Sequence, residues 1–404
     1  MNILFVSYEY PPETGGGGIG SYLLQCNTWL NQYGHTAIIM CGTSKNTAFW
    51  ETETVFRIPA INWAEFDKNL PYYIDKLNVD FDIIEGVDFR GCGLSLVNHQ
   101  KNIPVLARAH TINYVVDLYL QPKLTLKGKM RFALGALRRG KFPKLPQGPQ
   151  KENYSKEFLF LEKAAAIVSP SKALMETYKE HGIRNKYYHL PYLFTISNHS
   201  STPPLSRIAD STNKIKIVFF GRLEVRKGIL TIIKVIPQIL KRYKNVHFFF
   251  IGNPAQSPQP SLLMDAFIRQ ELKRYETSVT VLPAVPYHEV GNLIQAGDIF
   301  LMPSLFDNFP VACLEVMAAG KCIIATKSGG MAEMIEDRKS GALIYPDDVK
   351  GLFNVLSELI INSSLRDLYG RMAAHSIDRY HPKIIIEQQI SIYKEIIEEY
   401  RAGD

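Results

Sequence analysis

Between Gly221 and Gly330 three groups of residues stand in an order that suits one elongated anionic ligand. Gly221-Arg222-Leu223 is followed by Arg226-Lys227-Gly228; two cations beside a glycine turn offer fixed charge and free backbone N–H groups to a diphosphate. Asp307-Asn308-Phe309-Pro310 leads to Glu315, where a carboxylate one or two helical turns into the next helix can accept paired O–H bonds from sugar hydroxyls. Gly329-Gly330 then precedes Glu333. Together these point to a nucleotide sugar. A solvated basic turn would account for Arg222 and Lys227 alone, but their glycines and their position after an apolar run favour phosphate. Glu315 is flanked by Cys313-Leu314 and Val316-Met317, and a carboxylate in such company has a specific partner.

Gly15, Gly17 and Gly20 formally satisfy a dinucleotide fingerprint. Seven residues, with Pro11 and Pro12 among them, separate this run from the apolar run ending near Ser7, whereas the fingerprint turns tightly from strand into helix. The acidic ribose ligand is also missing where the next strand ends, at Met40-Cys41-Gly42. A dinucleotide-binding protein is therefore the weaker reading. The loop Gly15–Gly18 still brings backbone N–H groups to a helix start, where they can face a ligand.

These residues must be held by a fold, and short apolar runs alternate with amphipathic stretches along the chain. Ile3–Val6, Thr36–Met40, Ile83–Ile84, Val105–Ala107 and Ile167–Val168 form a first series of buried strands. Ile215–Phe220, His247–Ile251, Val279–Leu282, Ile299–Met302 and Cys322–Ala325 form a second. The alternation predicts α/β architecture: two doubly wound domains with parallel sheets, residues 1–196 and 214–380, joined through a polar stretch at Ser197–Asn213. The tail 381–404, with Ile385, Ile386, Ile390, Tyr393, Ile396 and Ile397 at helical spacing, predicts one amphipathic helix that returns to the first domain.

The combination resembles the family-four retaining glycosyltransferases of the GT-B fold (glycosyl transferases group 1), over nearly the whole chain. Tyr10-Pro11-Pro12…Gly16…Gly20 looks like the family's proline-then-glycine loop, and Ser169-Pro170-Ser171 like its serine pair after the last strand of the first domain. Gly221-Arg222-Leu223…Lys227-Gly228 matches the diphosphate motif. Pro303-Ser304…Asp307…Glu315…Gly320 matches the Glu-x7-Glu element, with Asp307 where the family usually has Glu. Ser328-Gly329-Gly330…Glu333 matches the last donor loop.

The resemblance implies roles. The donor sits mainly on the domain 214–380 and the acceptor mainly on 1–196; Arg222 and Lys227 hold the donor diphosphate, and Glu315 takes the ribose hydroxyls. Asp307, with the amides of Asn308 and Phe309 before Pro310, holds the transferred sugar. His110 stands beside that sugar, and Gly16, Gly17, Gly18 and Gly20 face the diphosphate and acceptor, with Gly221, Gly329 and Gly330 completing the donor cradle. The implied reaction moves a hexose, with UDP-glucose, a common donor in the family, as the expected one, to a sugar or lipid-linked acceptor with retention and without a metal or other cofactor. A nucleotide-sugar epimerase or a sugar phosphorylase could use the same fold. Asp80-Phe81-Asp82 has the look of a metal-binding pair but leads straight into a strand, which reads as an acidic strand entry.

The chain has 404 residues, 46% of them apolar, and a formal net charge of +7, which favours anionic partners without naming one. Five scattered cysteines without metal-like pairing, a start lacking a basic leader, and no apolar run near the roughly 20 residues of a membrane span predict a cytoplasmic protein. From Gln121 to Lys151 there are nine Lys or Arg and no acid, interleaved with Met130, Phe132, Leu134, Leu137 and Phe142. Segment 123–151 reads either as a solvated insertion or as a face for an anionic membrane carrying the acceptor. Nucleic acid fits poorly, because no recognition module accompanies the charge.

Overall fold

The computed structural model describes residues 1–404 apart from 16, 98, 121–129, 131–147, 196–207, 209–213 and 404. The first domain holds β1 (Asn2–Ser7), β2 (Thr36–Thr43), β3 (Phe49–Thr52), β4 (Val55–Pro59), β5 (Ile83–Val87), β6 (Val105–Arg108), β7 (Ile167–Ser169) and β8 (Tyr187–His189). They form a sheet in the order β3-β4-β2-β1-β5-β6-β7-β8. Every pairing is parallel except β3 with β4. The second domain holds β9 (Ile215–Phe220), β10 (Val246–Ile251), β11 (Val279–Leu282), β12 (Ile299–Met302), β13 (Cys322–Thr326) and β14 (Ala342–Ile344). Its order is β11-β10-β9-β12-β13-β14, all parallel.

Each sheet reverses its strand order once, between β1 and β5 in the first and between β9 and β12 in the second. At such a point the loops leaving the carboxyl ends diverge and open a crevice, the usual ligand position in doubly wound sheets. The glycine run follows β1, the Arg222–Lys227 turn follows β9, and Asp307 follows β12. The fold thus puts the sequence motifs at the two crevices.

Four strands escape the apolar-run criterion. β8 and β14 are three residues each, and β3 is mostly exposed. β4 carries Arg57, fully buried yet satisfied: its guanidinium pairs with Glu51 at 2.7 Å and donates to the carbonyls of Tyr10, Pro11 and Gly42. A buried cation persists only with such partners, and here they pin the proline loop to the sheet. Because β8 follows β7, Ser169–Ser171 lies after the second-to-last strand of the first sheet, not after the last. The polar stretch 197–213 lies outside the described residues, Ile208 excepted.

The last helix is Pro382–Ala402, with Pro382 in its first turn, where its missing N–H costs nothing. It packs on the first domain: Tyr393 Oη donates to buried Glu85 at 2.5 Å, Gln389 Nε2 reaches Tyr22 Oη at 3.4 Å, and Lys186 pairs with Glu395 at 2.9 Å. One apolar cluster belongs to each sheet's outer side, and a third runs across both domains through Tyr192, Phe309 and Tyr380. Among the described residues no helix is long and apolar enough to cross a membrane.

Candidate functional site

Helices are named where they bear on the site: α1 (Gly18–Gln32), α2 (Trp63–Lys76), α3 (Asn113–Leu120), α4 (Ser155–Lys163), α5 (Lys172–Glu180), α6 (Ile229–Arg242), then α7 (Met264–Glu271), α8 (Val290–Ala296), α9 (Val311–Ala318) and α10 (Met331–Met334).

The turn from β9 to α6 is built on backbone freedom. Gly221 has φ 133° and Gly228, which caps α6, has φ 76°. A Cβ on Gly228 would run into the Pro303 carbonyl oxygen, so the loops after β9 and β12 can interlock only with glycine there. Two hydrogen bonds fasten them, Leu305 N to Arg226 O at 2.7 Å and Arg226 Nη1 to Phe306 O at 3.0 Å. Arg226 also pairs with Glu224 at 2.6 Å. It is a tie between the loops, while Arg222 stays outside: its side chain is 68% exposed and its nearest carboxylate, Glu224, is 4.0 Å away. Arg222 is therefore available to an incoming anion.

Lys227 and Asp307, read from sequence as holders of different ligand parts, are brought together. Lys227 Nζ donates to Asp307 Oδ2, and Arg226 Nη1 lies 3.7 Å from Oδ1. Burial pushes the Asp307 carboxyl up, but Lys227 and Arg226 outweigh it and hold the group below the usual carboxylate range. Asp307 is thus ionised and orients Lys227, a coupling the sequence roles do not contain. The backbone here is crowded: a Cβ on Gly329 would strike the Asp307 carbonyl oxygen and one on Gly330 that of Asn308, while Gly330 N donates to Asp307 O at 3.0 Å. Gly329 and Gly330 therefore serve first by letting the β13–α10 turn close on this loop. Among the described residues nothing accepts from the amides of Asn308 and Phe309, which precede Pro310 and α9. Those N–H groups remain free for a ligand.

Glu315 sits half-buried on α9, between apolar neighbours as its sequence context predicts. No described donor meets its carboxylate, and burial alone raises it to about 7. It is an acceptor without a donor, an expensive state unless a ligand supplies hydroxyls.

On the first domain, α1 begins at Gly18 with Gly17 as a cap that lends no side chain, and its first turn has no acid. Gly17 and Gly18 are exposed with open space at the Cβ position, whereas Gly20 is packed against the Pro11 ring. Gly20 is a packing glycine, and Gly16 lies outside the described residues. His110 follows β6. Its amide donates to buried Asp88 at 2.8 Å, its Nδ1 lies 2.5 Å from Tyr192 Oη, and its Nε2 is buried without a partner among the described residues. Burial and then Arg108 push its imidazole well below 6.5, so it is neutral. A neutral ring with one unused nitrogen suits contact with a sugar hydroxyl rather than with phosphate.

Several contacts that tie the site together were not read from sequence, although Ser171, Asn308 and Glu333 were. Ser171 Oγ donates to Asn308 Oδ1 at 2.6 Å and Asn308 Nδ2 to Ala109 O at 3.3 Å, across the two domains. Glu333, on α10, accepts from the amides of Lys172 (3.1 Å) and Ala173 (2.9 Å) and so caps α5 of the opposite domain. Asp88 holds the His110–Thr111 amides and Glu157 those of Arg90, Asn113 and Tyr114. The argument that singled out Glu315, an acid among apolar residues, applies also to Asp88 between Val87 and Phe89, but not to Glu157, which follows Ser155-Lys156. The Asp80-Phe81-Asp82 pair lies at the opposite end of the sheet, where Asp82 accepts from Asn2 N at 2.9 Å. Among the described residues no cluster of His, Cys, Asp and Glu has metal-binding geometry. Segment 123–151 falls almost wholly outside the described residues.

Residues 214–362 match the family model of the glycosyl transferases group 1. The chain is 24% identical over 208 residues to D-inositol 3-phosphate glycosyltransferase of Corynebacterium urealyticum, covering 50% of this chain and 48% of that protein. It spans about half the length of the curated relatives it matches. Whole-chain likeness appears in solved structures. Sucrose-phosphate synthase from Thermosynechococcus elongatus aligns with a TM-score of 0.72 at 17% identity, covering 98% of this chain and 99% of that one. Anabaena HepE in complex with UDP-glucose aligns at 0.69 and 16%, covering 98% and 100%. These identities speak for the fold.

Proposed function

Because the chain belongs, through residues 214–362, to the glycosyl transferases group 1 on a GT-B fold, we propose that it transfers a hexose from a nucleoside diphosphate sugar to an acceptor hydroxyl with retention. The observation that carries this is the second crevice. There Arg222 is exposed and Lys227 is aimed by Asp307, while the Asn308 and Phe309 amides and the Glu315 carboxylate all lack partners among the described residues. That set matches the sequence of groups in such a donor: ribose on Glu315, diphosphate on the two cations, sugar against the amides and His110. UDP-glucose is the donor favoured, since the similar HepE structure holds it. The acceptor is a sugar or a lipid-linked sugar. For the latter, the cations of 123–151 would meet an anionic surface, and vesicle co-sedimentation that persists after their neutralisation would remove that part.

The chemistry is carried by charge placement. The bond from the sugar's anomeric carbon to the diphosphate oxygen breaks as the acceptor oxygen bonds to the same face, and the acceptor proton passes to the released phosphate oxygen. Negative charge grows on the diphosphate, where Lys227 is already aimed by Asp307 and the exposed Arg222 is free to meet it. The neutral His110 Nε2 fixes the sugar, and no metal is required. The experiment is an initial-rate assay with donor and acceptor sugars in excess chelator. The parent should turn over unchanged by chelator, and Arg222→Ala should lose roughly a hundredfold or more with its circular dichroism intact. Loss of parental activity on chelation, or a near-normal rate in the variant, would sink the proposal.

A further inference from the structure

The first domain has its own crevice, between β1 and β5, and its side chains carry a ligand set that the donor site does not use. Glu9 follows β1 and Arg90 follows β5. Trp63 opens α2 beside them, its ring 5.4 Å from Tyr8 and 5.3 Å, edge to face, from Phe89. The Arg90 guanidinium lies 5.7 Å from the Phe89 ring centre, and the polar atoms of the three groups are left over. Among the described residues no acceptor meets Trp63 Nε1, no carboxylate pairs with the exposed Arg90 guanidinium, and no donor hydrogen-bonds to the Glu9 carboxylate.

Arg90 is also held in a costly shape. Its φ is 59°, left-handed for a residue with a long side chain, and its amide is fixed at 2.9 Å by Glu157, which is buried. Strain of that kind persists only where the surroundings over-determine it, and it clusters at ligand sites. The same Glu157 carboxylate accepts from the amides at the start of α3, so one buried acid fixes the whole wall behind Arg90. Burial pushes the Glu9 carboxyl up, and the cations of Arg222 and Arg90 partly offset this.

An aromatic side chain whose ring neighbours, Tyr8 and Phe89, each adjoin a charged residue, Glu9 and Arg90, suits a saccharide ring. The C–H face lies on the ring system while paired hydroxyls accept from Arg90 and Trp63 and donate to Glu9. A phosphate-bearing acceptor fits worse, since Glu9 would face it with like charge. We propose that Glu9, Trp63 and Arg90 form the acceptor subsite and select a neutral glycosyl unit. The inference rests on the glycosyl-transfer reading above and names its second substrate class.

The test uses the full chain preloaded with UDP, first confirming UDP binding by calorimetry. Neutral probes (methyl glucosides, methyl mannosides, maltose and cellobiose) and phosphorylated ones (inositol 1-phosphate, glycerol 3-phosphate) are then titrated by calorimetry, a readout that does not depend on Trp63. A saturable change is expected with at least one neutral saccharide. Trp63→Leu and Arg90→Ala should each weaken it tenfold or more, Trp63→Phe much less, and none should alter UDP affinity. Tightest binding of a phosphorylated probe, no response to any neutral saccharide, or equal affinity in parent and variants would overturn the subsite. Failure of the parent to bind UDP would instead strike the transfer reading itself. Melting curves of the variants separate a lost site from a lost fold.

Discussion

Glu315 is the residue whose state is most sensitive to a ligand. Burial raises its carboxyl from 4.5 to about 7, and no described donor offsets this. The folded protein therefore binds a proton more readily than the unfolded chain between those two values. Its stability falls as pH rises from about 4.5 to 7, the cost being complete above that window and absent below it. Ribose hydroxyls donating to the carboxylate favour its charged form and bring the value down. Nucleotide binding should then release a proton near pH 6 and tighten as pH rises toward 7, flattening beyond. Calorimetry in two buffers of different ionisation enthalpy reads the proton directly. Glu315→Gln should melt higher than the parent at pH 8 without ligand, lose that advantage at pH 4, and bind nucleotide more weakly with little pH dependence. A parent affinity that is flat from pH 5 to 8 would remove Glu315 from the ribose.

At the scale of elements, the site depends on turns that must pass close to one another. The β13–α10 turn closes on the loop after β12 because Gly329 and Gly330 have no Cβ, and Gly329 also has φ 61°. Gly329→Ala adds a clash with backbone, which has nowhere to yield, and a left-handed residue; together they should cost about 1–3 kcal/mol and lower the melting temperature by several degrees. Nucleotide affinity should fall with it, and an unchanged melt would mean the turn has slack. Such dependences explain what could be read in advance. The ten apolar runs mark strands correctly, because a strand buried on both faces must be apolar throughout. The motifs fall at the switch points because glycine and cations at strand ends have few other uses. What escaped were the mostly exposed β3, then β4, whose buried Arg57 breaks the apolar pattern, and the short β8 and β14. The Lys227–Asp307 pair escaped as well, since 80 residues separate its members and only the β9–β12 adjacency joins them. The fold class lies in local periodicity; the electrostatics of the site lies in strand order.

For the whole molecule, the two domains meet, among the described residues, through polar contacts and a shared apolar cluster beside the crevices. Glu333 caps α5 across the divide, Ser171 and Asn308 form a bridge, and Phe309 packs between Tyr192 and Tyr380. Interfaces of this kind, part apolar and part hydrogen-bonded, set how far two domains open. Glu333→Ala leaves two amides at the start of α5 without their acceptor, and small-angle scattering should show a larger radius of gyration for the empty variant than for the parent. Saturating nucleotide should narrow the difference, and identical curves in both states would show that the cap does not control opening. The central claim is that the crevice between β9 and β12 takes a nucleoside diphosphate through Arg222 and Lys227. Calorimetry tests it most directly, comparing UDP, GDP and ADP, and the matching nucleosides without phosphate, on the parent, Arg222→Ala and Lys227→Ala. At least one diphosphate should bind the parent. Each variant should weaken it by about tenfold or more, the effect of one charge-assisted hydrogen bond, while the corresponding nucleoside binds all three proteins alike. A diphosphate bound with equal affinity by all three, or bound by none, would contradict the account.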